Sequence, residues 1–203
     1  MIIIVDYKVG NLGSIYNMLK KIGVKSEITS DKEKIRLASK LILPGVGSFD
    51  SGMKNLAELG LVELLNKKTL EEKVPVLGIC LGMQLLTSKS EEGSLIGLGW
   101  IKGCVKKFQF EKDSMLKVPH IGWNYVIQRK ESKLFFEMYE EPRYYFVHSY
   151  FVELDCKDNI LTETSYGNEF CSSLEKDNIY GVQFHPEKSH KYGMKLLKNF
   201  SEI

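Results

Sequence analysis

Val74-Pro75-Val76-Leu77-Gly78-Ile79-Cys80-Leu81-Gly82-Met83-Gln84 reads as an apolar strand that runs through Gly-x-Cys-x-Gly into a helical pattern. A strand-to-helix turn this tight leaves no room for side chains two residues before and two residues after its apex, which accounts for Gly78 and Gly82. Cys80 is thrust outward, with sulfur where other nucleophile elbows carry a hydroxyl. The N-terminus of the following helix favours a thiolate, because its unsatisfied N–H groups and its dipole stabilise negative charge. A buried cysteine after an apolar strand is the plainer reading of the same residues, since cysteine is among the most buried residue types. Cys104, Cys156 and Cys171 lack flanking glycines at this spacing and read as structural thiols. There is no Cys-x-x-Cys pair, so neither a zinc site nor a thioredoxin-like motif is supported, and no metal is expected.

Around this elbow, short apolar runs alternate with helical patterns. Strands are expected at 2 to 6, 24 to 28, 41 to 43 and 74 to 79, and helices at 12 to 22 and 53 to 67. From about 100 to 183 the pattern changes to aromatic and β-branched runs, including 144 to 152 and 178 to 184. Residues 190 to 200 place Tyr192, Leu196, Leu197 and Phe200 opposite Lys191, Lys195 and Lys198, as an amphipathic helix does. The expectation is an α/β fold: a mostly parallel central sheet flanked by helices, with added antiparallel strands, in a single domain spanning 1–203.

Composition restricts the function. The 203 residues are 43% hydrophobic and 27% charged, the balance of a soluble globular chain. A chain of this size buries roughly 70% of its unfolded surface and needs no disulfide or metal to stay folded. The formal net charge is +2 and the lysines are scattered, so nothing calls for nucleic acid. Met1-Ile2-Ile3-Ile4-Val5 is ended by Asp6 and Lys8, far short of the ~20 residues that span a bilayer, and reads as a buried first strand in a cytoplasmic protein.

A thiol nucleophile requires a base, and the base requires a group that holds its tautomer and stabilises its cation. Ile179-Tyr180-Gly181-Val182-Gln183-Phe184 is a strand pattern that delivers His185-Pro186-Glu187 at its end. In an extended segment residues two apart point the same way, so Glu187 can be held beside the imidazole of His185. His120 and His190 read as structural or exposed. Acyl transfer also needs donors aimed at an oxyanion. The Leu81 N–H opens the helix after Cys80, and Leu41-Ile42-Leu43-Pro44-Gly45-Val46-Gly47-Ser48-Phe49 ends a strand in a glycine-rich loop that a ligand can approach closely. That loop lacks the Gly-x-x-x-x-Gly-Lys-Ser/Thr pattern of a phosphate site.

Five ordered motifs carry a resemblance that covers nearly the whole chain: Pro-Gly-Val-Gly at 44 to 47, Leu-Gly-Ile-Cys-Leu-Gly-Met-Gln at 77 to 84, Lys-Val-Pro-His-Ile-Gly-Trp-Asn at 117 to 124, Tyr-Phe-Val-His-Ser-Tyr at 145 to 150 and Gly-Val-Gln-Phe-His-Pro-Glu-Lys-Ser at 181 to 189. The opening Val-Asp-Tyr-Lys-Val-Gly-Asn-Leu at 5 to 12 fits as well. Together they resemble the class I, triad-type glutamine amidotransferases, in the branch formed by the glutaminase subunits of imidazole glycerol phosphate synthases. His190 departs from that pattern, which has a polar residue such as Gln there.

The resemblance implies hydrolysis of L-glutamine without a cofactor, with Cys80 as nucleophile, His185 as base and Glu187 as its partner. It implies Val46 and Leu81 as oxyanion donors, Val46 after a rearrangement of its loop. Gly47, Gln84, His148, Ser149 and Tyr150 would surround the glutamine. Asn11, Trp123, Tyr145 and Lys188 would face a (β/α)8-barrel cyclase that receives the ammonia in histidine biosynthesis, the two chains forming a heterodimer. A related subunit that supplies a surface-sugar amidination enzyme through a cyclase-like partner would carry the same glutaminase motifs. A cysteine peptidase of related fold and a noncatalytic scaffold are the remaining alternatives.

Overall fold

The computed structural model describes residues 1–111 and 114–203. Among these residues the centre is an eleven-stranded mixed sheet, one half of which is parallel. In that half β2 (Ser26–Thr29), β1 (Ile2–Val5), β3 (Lys40–Gly45) and β4 (Val76–Cys80) lie side by side, and β13 (Ile179–Val182) joins β4 in parallel. Every residue of β1, β4 and β13 is buried, as strands covered by helices on both faces must be. Beyond β13 the sheet turns antiparallel through β12 (Asn168–Lys176), β10 (Tyr150–Leu154) and β6 (Gly103–Lys107), with β5 (Lys89–Ser90) at the edge. β11 (Ile160–Tyr166) pairs with both β12 and β8 (Ile127–Gln128). A separate two-stranded ribbon joins β7 (His120–Tyr125) to β9 (Arg143–His148).

Alternation along β1 divides the core. Ile2 and Ile4 meet Ile15 and Leu19 of α1 (Leu12–Lys21) and Leu196, Leu197 and Phe200 of α6 (His190–Glu202). Ile3 and Val5 face the opposite layer, built from Ile35 of α2 (Lys32–Arg36), Phe49 and Leu56 of α3 (Phe49–Glu58), Leu65 of α4 (Val62–Asn66) and Leu81 of α5 (Leu81–Leu85).

The expected elements differ from the observed ones by a residue or two at most ends, and three of the differences have a visible cause. The helix read over 53 to 67 is two helices, because Gly60 takes φ +60° and the Gly60 and Leu61 N–H groups turn back to the Ala57 and Leu56 carbonyls, closing α3. The second strand starts at Ser26, since the Val24 N–H is used to cap α1 on the Leu19 carbonyl. The aromatic run 144 to 152 breaks at Ser149 into β9 and β10, which belong to different sheets.

Candidate active site

Cys80 ends β4 opposite Gly45 of β3, and its backbone sits at φ +53°, ψ −110°. Non-glycine residues rarely enter that region, and such strain clusters where a side chain has to be aimed. The flanking glycines are required by space. A Cβ on Gly78 would stand 2.7 Å from the Met83 nitrogen, and one on Gly82 would stand 1.7 Å from the Leu43 carbonyl oxygen. α5 is short, five buried residues, so its electrostatic contribution is that of the N–H groups of its first turn.

β13 lies beside β4 and carries the chain to His185, which bridges to Tyr145 of β9 by donating its N–H to the Tyr145 carbonyl at 2.9 Å. The extended geometry expected for 185 to 187 is not what brings base and carboxylate together. Pro186 starts a 3₁₀ turn over Pro186–Lys188, and the turn folds Glu187 back so that His185 Nδ1 donates to Glu187 Oε1 at 2.7 Å. Both side chains are buried. Burial alone would lower the His185 pKa, but Cys80 and Glu187 outweigh it and raise it to about 10. His185 Nε2 and Glu187 Oε2 are buried and have no hydrogen-bond partner among the described residues.

Cys80 opens into a cleft of about 340 Å³. Val46, Gly47, Leu81, Gln84, His148, Ser149 and Tyr150 are among the residues that line it. The structure thus brings these expected residues together around one cleft, with Glu92, Pro119 and Val147 lining it as well, and behind them lies a set of hydrogen bonds that the sequence did not show. Gln183 Nε2 donates to Cys80 Sγ at 3.6 Å, and Gln84 Nε2 donates to Gln183 Oε1 at 3.0 Å and to the Tyr150 carbonyl at 3.2 Å. Gln183 was signalled by its position, a polar residue inside an otherwise apolar strand run. Tyr7 was not signalled. It is fully buried, its hydroxyl donates to the Pro44 carbonyl beneath the glycine-rich loop, and burial together with Cys80 pushes its pKa well above the usual tyrosine value. Ser189 is likewise buried, accepting the Tyr145 N–H at 3.0 Å and donating to the His185 carbonyl at 2.6 Å.

A second cluster lies on the outside. Trp123, 44% exposed, meets Tyr145 edge-on at 6.4 Å and stacks on His190 at 5.6 Å, while Lys188 Nζ stands 5.5 Å from the Tyr145 ring centre. Asn11 is exposed and caps α1 by accepting the Ser14 N–H at 3.4 Å. α1 packs against the Pro186–Lys188 turn, so Asn11 is tied to the same region. Of the two histidines set aside, His190 is exposed and His120 is buried.

The other thiols differ from Cys80. Cys171 is buried and its pKa is pushed far up by that burial, Cys104 is half-buried and Cys156 is exposed. Among the described residues, no three His, Cys, Asp or Glu side chains are placed to hold a metal ion, and no helix is long and apolar enough to cross a membrane.

The chain is 60% identical over 98% of its length, and 98% of the relative's, to "Imidazole glycerol phosphate synthase subunit HisH 2" of Methanococcus maripaludis. It is 47% identical to the Pseudomonas aeruginosa protein of the same name and 46% identical to "Imidazole glycerol phosphate synthase subunit HisH" of Leptospira interrogans, over the full length of each pair. Among solved structures, a putative GMP synthase subunit from Thermoplasma acidophilum superposes with TM-score 0.72 at 20% identity, covering 99% of this chain and 92% of that one. PurLQS from Thermotoga maritima gives 0.73 at 19% identity, covering 99% and 97%. At these identities the two structures establish the fold: a mostly parallel α/β sheet with antiparallel additions. The profile of glutamine amidotransferase class-I matches residues 3–203, and with relatives this similar over their whole length the chain belongs to the class-I glutamine amidotransferase family.

Proposed function

We propose that the chain is the glutaminase subunit of an imidazole glycerol phosphate synthase, one catalytic unit over 1–203 that hydrolyses L-glutamine and passes ammonia to a (β/α)8 cyclase. The observation that carries this reading is the placement of a strained, outward-aimed Cys80 in a cleft backed by the buried His185–Glu187 pair, Nδ1 to Oε1 2.7 Å. The names of relatives at 46% to 60% identity over the whole chain support the pathway.

Cys80 attacks the glutamine carboxamide carbon as a thiolate, for which a cationic imidazole is the natural partner. The tetrahedral oxyanion is met by the N–H groups of Leu81 and, once the 44–47 loop has turned, Val46. The C–N bond breaks as His185 gives its proton to the leaving nitrogen, which departs as ammonia. His185 then takes a proton from water, the hydroxide attacks the thioester, and glutamate leaves as the Cys80 thiolate is restored. Glu187 holds the imidazole tautomer and stabilises its cation. Gly47, Gln84, His148, Ser149 and Tyr150 form the cleft for the amino acid. No cofactor takes part. Asn11, Trp123, Tyr145 and Lys188 meet the cyclase in a heterodimer, an exposed aromatic with neighbouring cation being the usual anchor of such a contact. The reaction belongs in the cytoplasm, where a nucleophilic thiol stays reduced.

Glutamate release by the chain, alone and with the histidine-pathway cyclase of its own organism, tests the reading. The cyclase should raise the rate by about tenfold or more, because closure of the loop is coupled to docking. Cys80→Ala should abolish release while the complex still makes imidazole glycerol phosphate from ammonium salts. Stimulation by a different barrel protein and none by this cyclase would overturn the pathway, and glutaminase activity surviving in Cys80→Ala would overturn the nucleophile.

A further inference from the structure

Strand β7 has two faces with different tasks. Ile121, Trp123 and Tyr125 point out and are exposed, whereas His120 and Asn124 point in, and His120 lies directly across the ribbon from His148 of β9. The two imidazoles are enclosed by aromatic rings. Phe146 and Tyr166 stack on His120 with centroids at 4.8 and 4.0 Å, and Phe108 and Phe170 stand 5.3 and 5.2 Å from His148.

The hydrogen bonds fix every proton by elimination. A carbonyl can only accept, so His148 Nδ1, 2.7 Å from the Tyr150 carbonyl, carries a hydrogen. A neutral His148 then has a bare Nε2, which can only accept. The atom 3.0 Å away, His120 Nδ1, must therefore be the donor. That leaves His120 Nε2 as an acceptor, and Asn124 Nδ2, which also donates to the Ser165 carbonyl at 2.9 Å, stands 3.3 Å from it. Neutral rings are what this enclosure favours, burial lowering the His120 pKa to about 4 and the His148 pKa to about 3. The polarity runs one way, from Asn124 through His120 and His148 to Tyr150.

The end of the chain of donors is a wall of the cleft. Ser149 breaks β9 from β10, and the corner 148 to 150 is closed by His148 Nδ1 on the Tyr150 carbonyl, the same carbonyl that accepts from Gln84. We propose that His120 is a positioning residue for glutamine: by donating from Nδ1 it locks His148 in the Nδ1–H tautomer, and this lock holds the corner that walls the cleft. The inference rests on the glutaminase reading for its substrate. Were His148 to take the Nε2–H tautomer, its bare Nδ1 would face the carbonyl oxygen and repel it, and the corner would open. Substrate affinity would then suffer, while the His185–Glu187 pair, whose Nδ1 to Oε1 bond uses none of the groups of that corner, would be kept.

The test combines long-range ¹H–¹⁵N spectra of the histidine-labelled chain with glutamine kinetics of the complex, for the wild type, His120→Phe and His120→Asn. Phenylalanine fills the aromatic enclosure without a donor, and the asparagine amide can return a donor near the position of Nδ1. Both His120 and His148 should be neutral Nδ1–H tautomers in the wild type. His120→Phe should mix the His148 tautomers and raise KM for glutamine by about fivefold or more with kcat within about twofold, and His120→Asn should restore both. A wild-type His148 in the Nε2–H tautomer overturns the proposal even if His120→Phe fails to fold, and so does an unchanged KM in a folded His120→Phe or a failure of His120→Asn to restore it. A wild type that hydrolyses no glutamine would sink the glutaminase reading alone, because the tautomers are read without substrate.

Discussion

Gly82→Ala is the substitution that the elbow should tolerate least. The new Cβ would stand 1.7 Å from the Leu43 carbonyl oxygen and 2.7 Å from its carbon, where real Cβ contacts essentially never fall under 3.0 Å. Something must move by about 1.3 Å, the gap between the observed and permitted oxygen distances. Neither partner is a side chain that could rotate away: Leu43 is backbone in the middle of β3 and Gly82 is backbone in α5. The helix has to lift off the sheet, and it carries the Leu81 N–H with it. Overpacking of this kind typically costs about 1–3 kcal/mol, and a backbone collision belongs at the top of that range, about 3 kcal/mol. At about 2–4 °C per kcal/mol for a chain of this length, Tm should fall by about 6–12 °C. Gly78→Ala meets its nearest atom at 2.7 Å and should lose only about 1 kcal/mol. Differential scanning calorimetry of both variants at one pH, with glutamate release measured well below either transition, checks the ranking. A Tm for Gly82→Ala within about 1 °C of wild type, or a larger loss in Gly78→Ala, would refute the reasoning.

Three further outcomes are expected. Cys80→Gly should be more stable than Cys80→Ala by about 1 kcal/mol, since glycine relieves the strain of φ +53°, ψ −110°; equal urea midpoints would mean that the elbow stores no strain. Stability should fall on both sides of pH 6.5. Below it the unfolded chain takes up protons that His120 and His148 refuse until about 4 and about 3, and above it the stability given by His185⁺ fades as pH climbs to about 10. Urea unfolding across pH 4 to 10 reads both slopes, His120→Asn should flatten the acid one and His185→Gln the alkaline one, and a flat wild-type profile contradicts both assignments. Trp123→Ala should weaken cyclase binding by about 2 kcal/mol without changing the fold, as calorimetric titration would show; unchanged affinity would place the partner elsewhere.

What the sequence revealed was what local sterics dictate. Gly78 and Gly82 are readable because a strand cannot turn into a helix around an exposed apex without them, and the parallel half is readable because β1, β3 and β4 are apolar on both faces. The elements read least well are those decided by distant partners. Nothing local says that Ser149 separates two sheets, because the break is made by Phe108 donating to the Ser149 carbonyl and by His148 holding Tyr150. His120 read as structural or exposed in a glycine- and proline-bearing segment, and only its register opposite His148 decides between the two and puts it in the core. Tyr7 was similarly silent, since an aromatic after a first strand has many uses and its carbonyl partner is 37 residues away.

The position of β13 decides when this chemistry becomes available. Cys80 sits on β4, but the strand that leads to His185 is inserted between β4 and β12 and comes from a segment about a hundred residues later. During synthesis the amino-terminal strands emerge first and can pair as a unit. At that stage β4 is an open edge, and the sulfur at its tip has neither imidazole nor carboxylate beside it. Only when residues 179 to 187 slide into that edge does one pairing event complete the sheet and bring His185 and Glu187 up to the thiol. A nascent or prematurely ended chain therefore holds Cys80 without the His185–Glu187 pair, and the same seam that closes the fold assembles the candidate site.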